Sequence, residues 1–272
     1  MTTVPQNSNS LARRIRSHAL RMTHISKASH IGSCFSMADI LAVLYGGVLR
    51  FDPSKPNWPE RDRFILSKGH AAAILYAALA ETGFFPVDWL SGYVCNGSKL
   101  AGHVTSHGVP GVELSSGSLG HGLSVACGIA QAMRADKNSA RVFALLSDGE
   151  CDEGSIWEAA LFAGHHKLDN LVAIVDYNKI QSFGSITDVL DLEPFADKWR
   201  AAKWSVVEID GHDHEVLQKH LSALPVASGK PSLIIAHTIK GKGVSFMEGQ
   251  LVWHYKSAND EQLAQALAEI NG

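Results

Sequence analysis

The sequence predicts an α/β protein built on a mostly parallel β-sheet with helices on both faces. Two short apolar runs carry much of that prediction. Residues 141–146 read RVFALL and 171–175 read LVAIV, and each stops abruptly at polar residues, as buried parallel strands do. Between them, Ile156, Ala159, Ala160 and Ala163 fall on one face of a helix. The third observation is a spacing. Asp148 and Asn178 lie about thirty residues apart, the length of a strand, a crossover helix and a parallel strand, so both should emerge at the carboxyl edge of one sheet.

The other elements follow in order. Leu11, Ile15, Ala19, Met22 and Ile25 recur at helical spacing over 11–26, and the polar stretch 1–10 ahead of them reads as a flexible tail. Ser36 is expected to cap a second helix reaching residue 49, since Asp39, Ile40, Leu44 and Val48 follow it at helical spacing. The proline-rich stretch 52–59 is a loop, 63–66 a short strand, and Ser67-Lys68-Gly69-His70 turns into an alanine-rich helix over 71–81. Residues 102–122 form a long loop dense in Gly, Ser and His, a length that in a compact domain usually marks function. Its end, Gly117-Ser118-Leu119-Gly120-His121-Gly122, opens a small-residue helix over 123–133, whose free N–H groups favour an anion. Ser155 with Glu158 has the spacing of a capping box for the crossover helix. A strand at 204–209, a helix at 214–224 and a strand at 232–237 complete one domain over 11–272.

At 272 residues the chain can bury a large core without a second domain. A net charge of −3 with 19% charged residues makes no electrostatic case for nucleic acid or an anionic membrane. Cys34, Cys95, Cys127 and Cys151 show no C-x-x-C pairing, which fits a reduced cytoplasmic protein and gives no sign of zinc. No signal peptide and no apolar run of about 18 residues is present, so a soluble cytoplasmic protein without a membrane partner is expected.

Asp148 and Asn178 would offer a carboxylate and an amide oxygen, hard donors suited to Mg²⁺ or Ca²⁺ with phosphate oxygens among the remaining ligands. Asp-Gly turns and strand-ending Asn also have plain turn chemistry, so spacing alone leaves both readings open. His30, His70, His103, His107, His121, His237 and His254 fall in glycine-rich or strand-ending segments, where neutral imidazoles can bind phosphate oxygens and move protons. His165 and His166 end a helix and suit its dipole. Lys240 and Lys242 lie in a glycine-rich basic run without Walker spacing. Glu150, Asp152 and Glu153 sit near a helix N-terminus, with interface or proton chemistry as the sharper reading.

Ser29-His30-Ile31-Gly32, Ser67-Lys68-Gly69-His70, Ala101-Gly102-His103, the 117–122 run, Ser147-Asp148-Gly149-Glu150 with Glu153-Gly154, and Trp253-His254 occur in one order along the chain. Together they resemble the N-terminal, diphosphate-binding half of transketolase, over about residues 12–255. The resemblance implies the thiamine-diphosphate-binding fold of the PP type. It implies that Asp148, Asn178 and the backbone carbonyl of Ile180 hold Mg²⁺ or Ca²⁺ on the diphosphate of thiamine diphosphate, with Gly149 letting the chain approach the phosphates. His70 and His254 match histidines beside the diphosphate and the reacting carbons. His30 and His103 match those that contact the donor sugar. Gly117 and Leu119 match residues packed on the cofactor's two rings, and Lys240 stands at a position near the cofactor. Ser147, Ile31, Ser118, His121 and Tyr255 depart from the usual Gly, Pro, Pro, Gln and Gly, which bears on acceptor choice and pocket shape more than on cofactor binding.

Full-length members of that family carry a second domain whose glutamate protonates the cofactor's aminopyrimidine, and this sequence stops at Gly272. The resemblance therefore implies one half of a split transketolase, inactive alone. A separate pyrimidine-binding subunit would complete it, as an α2β2 heterotetramer that moves a two-carbon ketol unit from a ketose phosphate to an aldose or aldose phosphate. Two alternatives remain: a subunit of another thiamine diphosphate enzyme, resembling deoxyxylulose-phosphate synthase or decarboxylating 2-oxo acids, or a non-catalytic assembly subunit. The Ser67–His70 run and Trp253-His254 favour transketolase.

Overall fold

Side-chain alternation along the strands divides the interior into two cores. In the computed structural model, which describes residues 7–272, the strands are β1 (Arg63–Leu66), β2 (Val142–Ser147), β3 (Leu171–Tyr177), β4 (Ile180–Gln181), β5 (Gly184–Ser185), β6 (Ser205–Asp210) and β7 (Ser232–His237). Five of them form a parallel sheet in the order β1-β2-β3-β7-β6, while β4 and β5 pair as a small antiparallel hairpin. Phe143, Leu145, Val172, Ile174 and Ile234 point into one core, and Val142, Ala144, Leu171, Ala173 and Val175 into the other. A strand buried on both faces needs an unbroken apolar run, which is what β2 and β3 have.

The first core is covered by α1 (Ser8–Ser26), α2 (Ile31–Ser36), α3 (Ala38–Val43) and α4 (Ala72–Glu81), joined later in the chain by α9 (His214–Ser222) and α10 (Asp260–Asn271). The second is covered by α5 (Gly122–Ala135), α6 (Gly154–His165) and α8 (Phe195–Ala201), with the single turn α7 (Ile186–Val189) following the hairpin. The expected fold class is therefore observed. Among the described residues, no helix is long and apolar enough to cross a membrane.

Local departures from the sequence reading have identifiable causes. Ser8, Asn9 and Ser10, read as the end of the tail, are helical, because the Asn7 side chain accepts the Ser10 N–H at 3.0 Å and caps α1; residues 1–6 lie outside the described residues. Ser36 does not cap a long helix. It ends α2, and its hydroxyl donates to the Ser33 carbonyl and to the buried Asp176 carboxylate, while the helix past α3 loosens into a π-turn at Leu44–Val48 where two glycines meet. Ser155 likewise gives up the cap role: its hydroxyl donates to the Gly120 carbonyl at 2.9 Å, joining α6 to the glycine loop. The hairpin and α8 carry no strong periodic signal; α10, absent from the sequence reading, does carry one, with Leu263, Ala266, Leu267 and Ile270 on its core face and a capping box formed by Asn259 and Gln262.

A buried polar cluster ties three helices together under the first core. Arg16 of α1 donates to both oxygens of Asp39 on α3, at 2.8 and 2.6 Å, and His212 and His214 approach the same carboxylate at 2.7 and 3.1 Å. Burial alone would raise the Asp39 pKa, but the Arg16 guanidinium and the hydrogen-bonded histidines hold it well below the usual carboxylate range. A depressed folded pKa contributes stability that is fully present above the unfolded value of about 3.9 and is lost as pH falls through the folded one. Asp39→Asn should therefore destabilise the chain by about 2 kcal/mol at neutral pH. The gap to wild type, measured by urea unfolding, should close in strong acid as the Asp39 carboxylate is protonated.

Candidate cofactor site

The pairing of β2 with β3 sets Ser147 opposite Asp176, so the residues just beyond both strand ends share one edge. Asp148 accepts the Gly149 N–H at 2.8 Å and the Lys179 N–H at 2.6 Å, the latter made possible by the left-handed turn at Lys179 (φ 67°). The Asn178 amide oxygen accepts the Ile180 N–H at 3.1 Å, and the Ile180 carbonyl accepts the Lys240 ammonium at 2.9 Å. Asp148, Asn178 and Ile180 all line a cavity of ≈ 190 Å³. Burial, and then the neighbouring Asp176, push the Asp148 carboxyl up to about 6, the behaviour of an anion short of a counterion.

Behind this edge lies a buried ion pair. Lys68, in the turn after β1, donates to Asp176, whose carboxylate also accepts the Ser36 and Thr238 hydroxyls. Burial opposes ionisation of Asp176, yet Lys68 and the two hydroxyls hold its pKa below the ordinary value. Lys68 reaches the cavity as well. Lys240, also fully buried, is pushed down to about 8 by burial and by the charge of Lys68.

The long loop is fixed to the strand ends. Ser116 donates through its hydroxyl to the Leu66 carbonyl at 2.6 Å, Val104 N–H to the Gly69 carbonyl at 3.0 Å, and Gly122 N–H to the Ser67 hydroxyl at 3.1 Å. Glu150 accepts the Ser67 hydroxyl, the Gly120 N–H at 2.9 Å and the Ser147 N–H at 3.2 Å. Its buried carboxylate thus fastens β1, β2 and the glycine loop together, which is a fuller role than dipole partner. Tyr76 of α4 donates to the His103 carbonyl at 3.1 Å and accepts the Thr105 N–H at 3.0 Å, setting His103 at the cavity.

Four imidazoles face one another across that cavity. The His30 ring lies 5.0 Å from those of His70 and His254 and 5.9 Å from that of His103. His30 caps α2 in the left-handed conformation (φ 74°), uncommon for a non-glycine residue, and its N–H is held by the His254 carbonyl at 3.0 Å. Burial, then His103 and Lys240, lower its pKa to about 4. Burial and Lys240 lower His254 to about 3, and burial with Lys68 takes His70 well below its usual value. These three rings are neutral at pH 7, and His254 accepts the Lys240 ammonium through Nδ1 at 3.0 Å, leaving the proton on Nε2. The cluster therefore offers a polar ligand uncharged ring nitrogens, and a proton placed on it is held only weakly.

The cavity brings together every residue singled out for the site: His30, His70, His103, Gly117, Leu119, Asp148, Gly149, Asn178, Ile180, Lys240 and His254. It leaves out His107, His121 and His237, the last of which pairs with Glu208 at the surface, and Lys242, which pairs with Glu248. Lys68, inside a quoted motif, was not singled out, nor were Ser33 or the Gln181 and Ser182 that follow Ile180 in a segment without periodicity; Ser147, named as a departure from the usual Gly, and Glu150 also line the cavity.

The family described as transketolase, thiamine diphosphate binding domain, matches residues 7–270. The chain belongs to the transketolase family. It is 44% identical over 241 residues to the 6-deoxy-6-sulfo-D-fructose transketolase subunit SqwG of Clostridium sp. (strain MSTE9), covering 89% of this chain and 88% of that one. It is 41% identical over 256 residues to an apulose-4-phosphate transketolase subunit of Phocaeicola vulgatus, covering 94% and 91%. Among solved structures, transketolase from Leishmania mexicana superposes with a TM-score of 0.92 at 31% identity over 98% of this chain, which spans 42% of that longer protein.

The residues present suit the cofactor of that transketolase domain. A carboxylate, an amide oxygen and a backbone carbonyl form a hard-donor set for a divalent cation, and Lys68 and Lys240 add positive charge for a diphosphate. Two glycines let neighbouring segments pack closely at the cavity wall. A Cβ on Gly149 would lie 2.7 Å from Cβ of Gln181, and one on Gly117 (φ 157°) would lie 2.8 Å from the His103 ring.

Proposed function

We propose that this chain is the diphosphate-binding half of a two-subunit transketolase, transferring a two-carbon ketol unit from a ketose phosphate to an aldose or aldose phosphate. The observation that carries the reading is the convergence of the motif residues on one cavity at the carboxyl edge of the sheet. Asp148, Asn178 and the Ile180 carbonyl would hold a divalent metal, Mg²⁺ in the first place, against the diphosphate. Gly117 and Leu119 would pack on its rings, with Lys240 and His70 beside it. Thiamine diphosphate supplies, when bound, the electron sink needed to break and remake a carbon–carbon bond. His30, His103 and His254 are assigned to bind the sugar hydroxyls and to assist proton transfer at them, both of which an imidazole can do.

The partner in this proposal is a pyrimidine-binding transketolase subunit that contributes the catalytic glutamate, assembled as an α2β2 heterotetramer in the cytoplasm. Support comes from relatives named as transketolase subunits and from the free state of all four cysteines. The test is reconstitution with such a subunit, Mg²⁺ and thiamine diphosphate. Ketol transfer between sugar phosphates should require both subunits. Failure with every ketose phosphate, or turnover of pyruvate instead, would refute the assignment.

A further inference from the structure

The β4–β5 hairpin overhangs the cavity with little to hold its tip. Its ladder is two pairs long, Ile180 with Ser185 and Gln181 with Gly184, and a lone two-stranded hairpin is marginal in water. Its base is secured by Lys240 on the Ile180 carbonyl and by Gln181, which donates to Asp152 at 3.0 Å. The turn itself, Ser182-Phe183, projects outward, and Phe183 is 82% exposed. One side chain reaches across to it. Tyr255 donates its hydroxyl to the Ser182 carbonyl at 2.5 Å, while its ring lies 5.0 Å from that of His254.

Ser182 and His254 both line the cavity. Tyr255, 56% exposed and outside the cavity lining, is covalently next to one and hydrogen-bonded to the other, so it bridges the rim between them from the solvent side. His30 sits 5.0 Å from His254, which puts this rim on the side of the imidazole cluster. A sugar with its reacting end at those rings and its carbon chain running outward on this side would meet the Tyr255–Ser182 bridge. We propose that Tyr255 is a specificity-determining clasp, holding the 182–183 turn over the cavity and limiting the length of the acceptor that fits. The acceptor part rests on the transketolase reading above; the clasp does not.

Two measurements separate them. Amide hydrogen exchange on the full chain should show residues 182–185 exchanging roughly 3–10-fold faster in Tyr255→Phe, which loses only the hydroxyl and one net hydrogen bond. Unchanged exchange there overturns the clasp. In the reconstituted complex, kcat/KM for D-ribose 5-phosphate relative to glycolaldehyde should rise about tenfold or more in Tyr255→Gly, the scale of relieving a steric limit in a pocket, with Tyr255→Phe between it and wild type. Faster exchange with an unchanged acceptor ratio overturns the specificity role. Absence of ketol transfer in wild type and both variants alike overturns the transketolase reading, and the acceptor role with it.

Discussion

Asp148→Ala is expected to abolish metal-dependent binding of thiamine diphosphate, weakening it by about 100-fold or more, since even outer-shell changes at metal sites cost about 10–100-fold. Titration calorimetry with Mg²⁺ present checks it, and unchanged affinity would remove Asp148 from the ligand set. Asp148→Asn sharpens the result. The amide oxygen can accept only one of the Gly149 and Lys179 N–H groups, which bind different oxygens of the carboxylate, and the change also removes a buried negative charge that sits near Asp176. Without ligand, the lost hydrogen bond and the relieved repulsion oppose each other, so that variant should melt close to wild type, while its Mg²⁺-supported cofactor binding is lost. A nearly unchanged melt with lost binding distinguishes a ligand from a residue that merely supports the fold.

The second large effect belongs to Lys68 and Asp176. Both are completely buried, and removing one member of such a pair strands the other charge at a cost of about 3–5 kcal/mol. Lys68→Met should lose that much in urea unfolding. Asp176→Leu should lose at least as much, because Ser36 and Thr238 are orphaned along with the lysine. The double variant should recover much of the loss, giving a coupling energy of about 2 kcal/mol or more, since an apolar pair of similar size replaces the desolvated ions. Additive losses would mean that the two side chains act independently. Recovered stability without recovered cofactor affinity would show that the pair also serves the cavity, which Lys68 lines and where Asp176 accepts from the Asn178 amide.

The sheet was legible because its strands are buried on both faces and so spell continuous apolar runs; Val142–Ser147 and Leu171–Tyr177 needed little beyond their hydropathy. The cavity was legible for a different reason. Its residues sit at strand ends and helix starts, where glycine, histidine and aspartate stand out against an apolar background. Lys68 and Asp176 were hidden by the same background, since neither reveals from its neighbours in sequence that the other, more than a hundred positions away, will neutralise it. Ser36 and Ser155 show the limit of cap rules. A serine near a helix start signals a cap only if nothing else nearby needs its hydroxyl, and here a buried carboxylate and a loop carbonyl did. The hairpin at 180–185 is too short to show a period at all.

Glu150 and the hydroxyls of Ser67 and Ser116 fasten the glycine-rich loop to two strand ends. A free loop of this length would have to be ordered at the moment a ligand arrives, and its lost entropy would be subtracted from affinity. Fastened this way, the loop surrenders that freedom when the chain folds. Cofactor capture then becomes an encounter with a wall that this chain has already shaped.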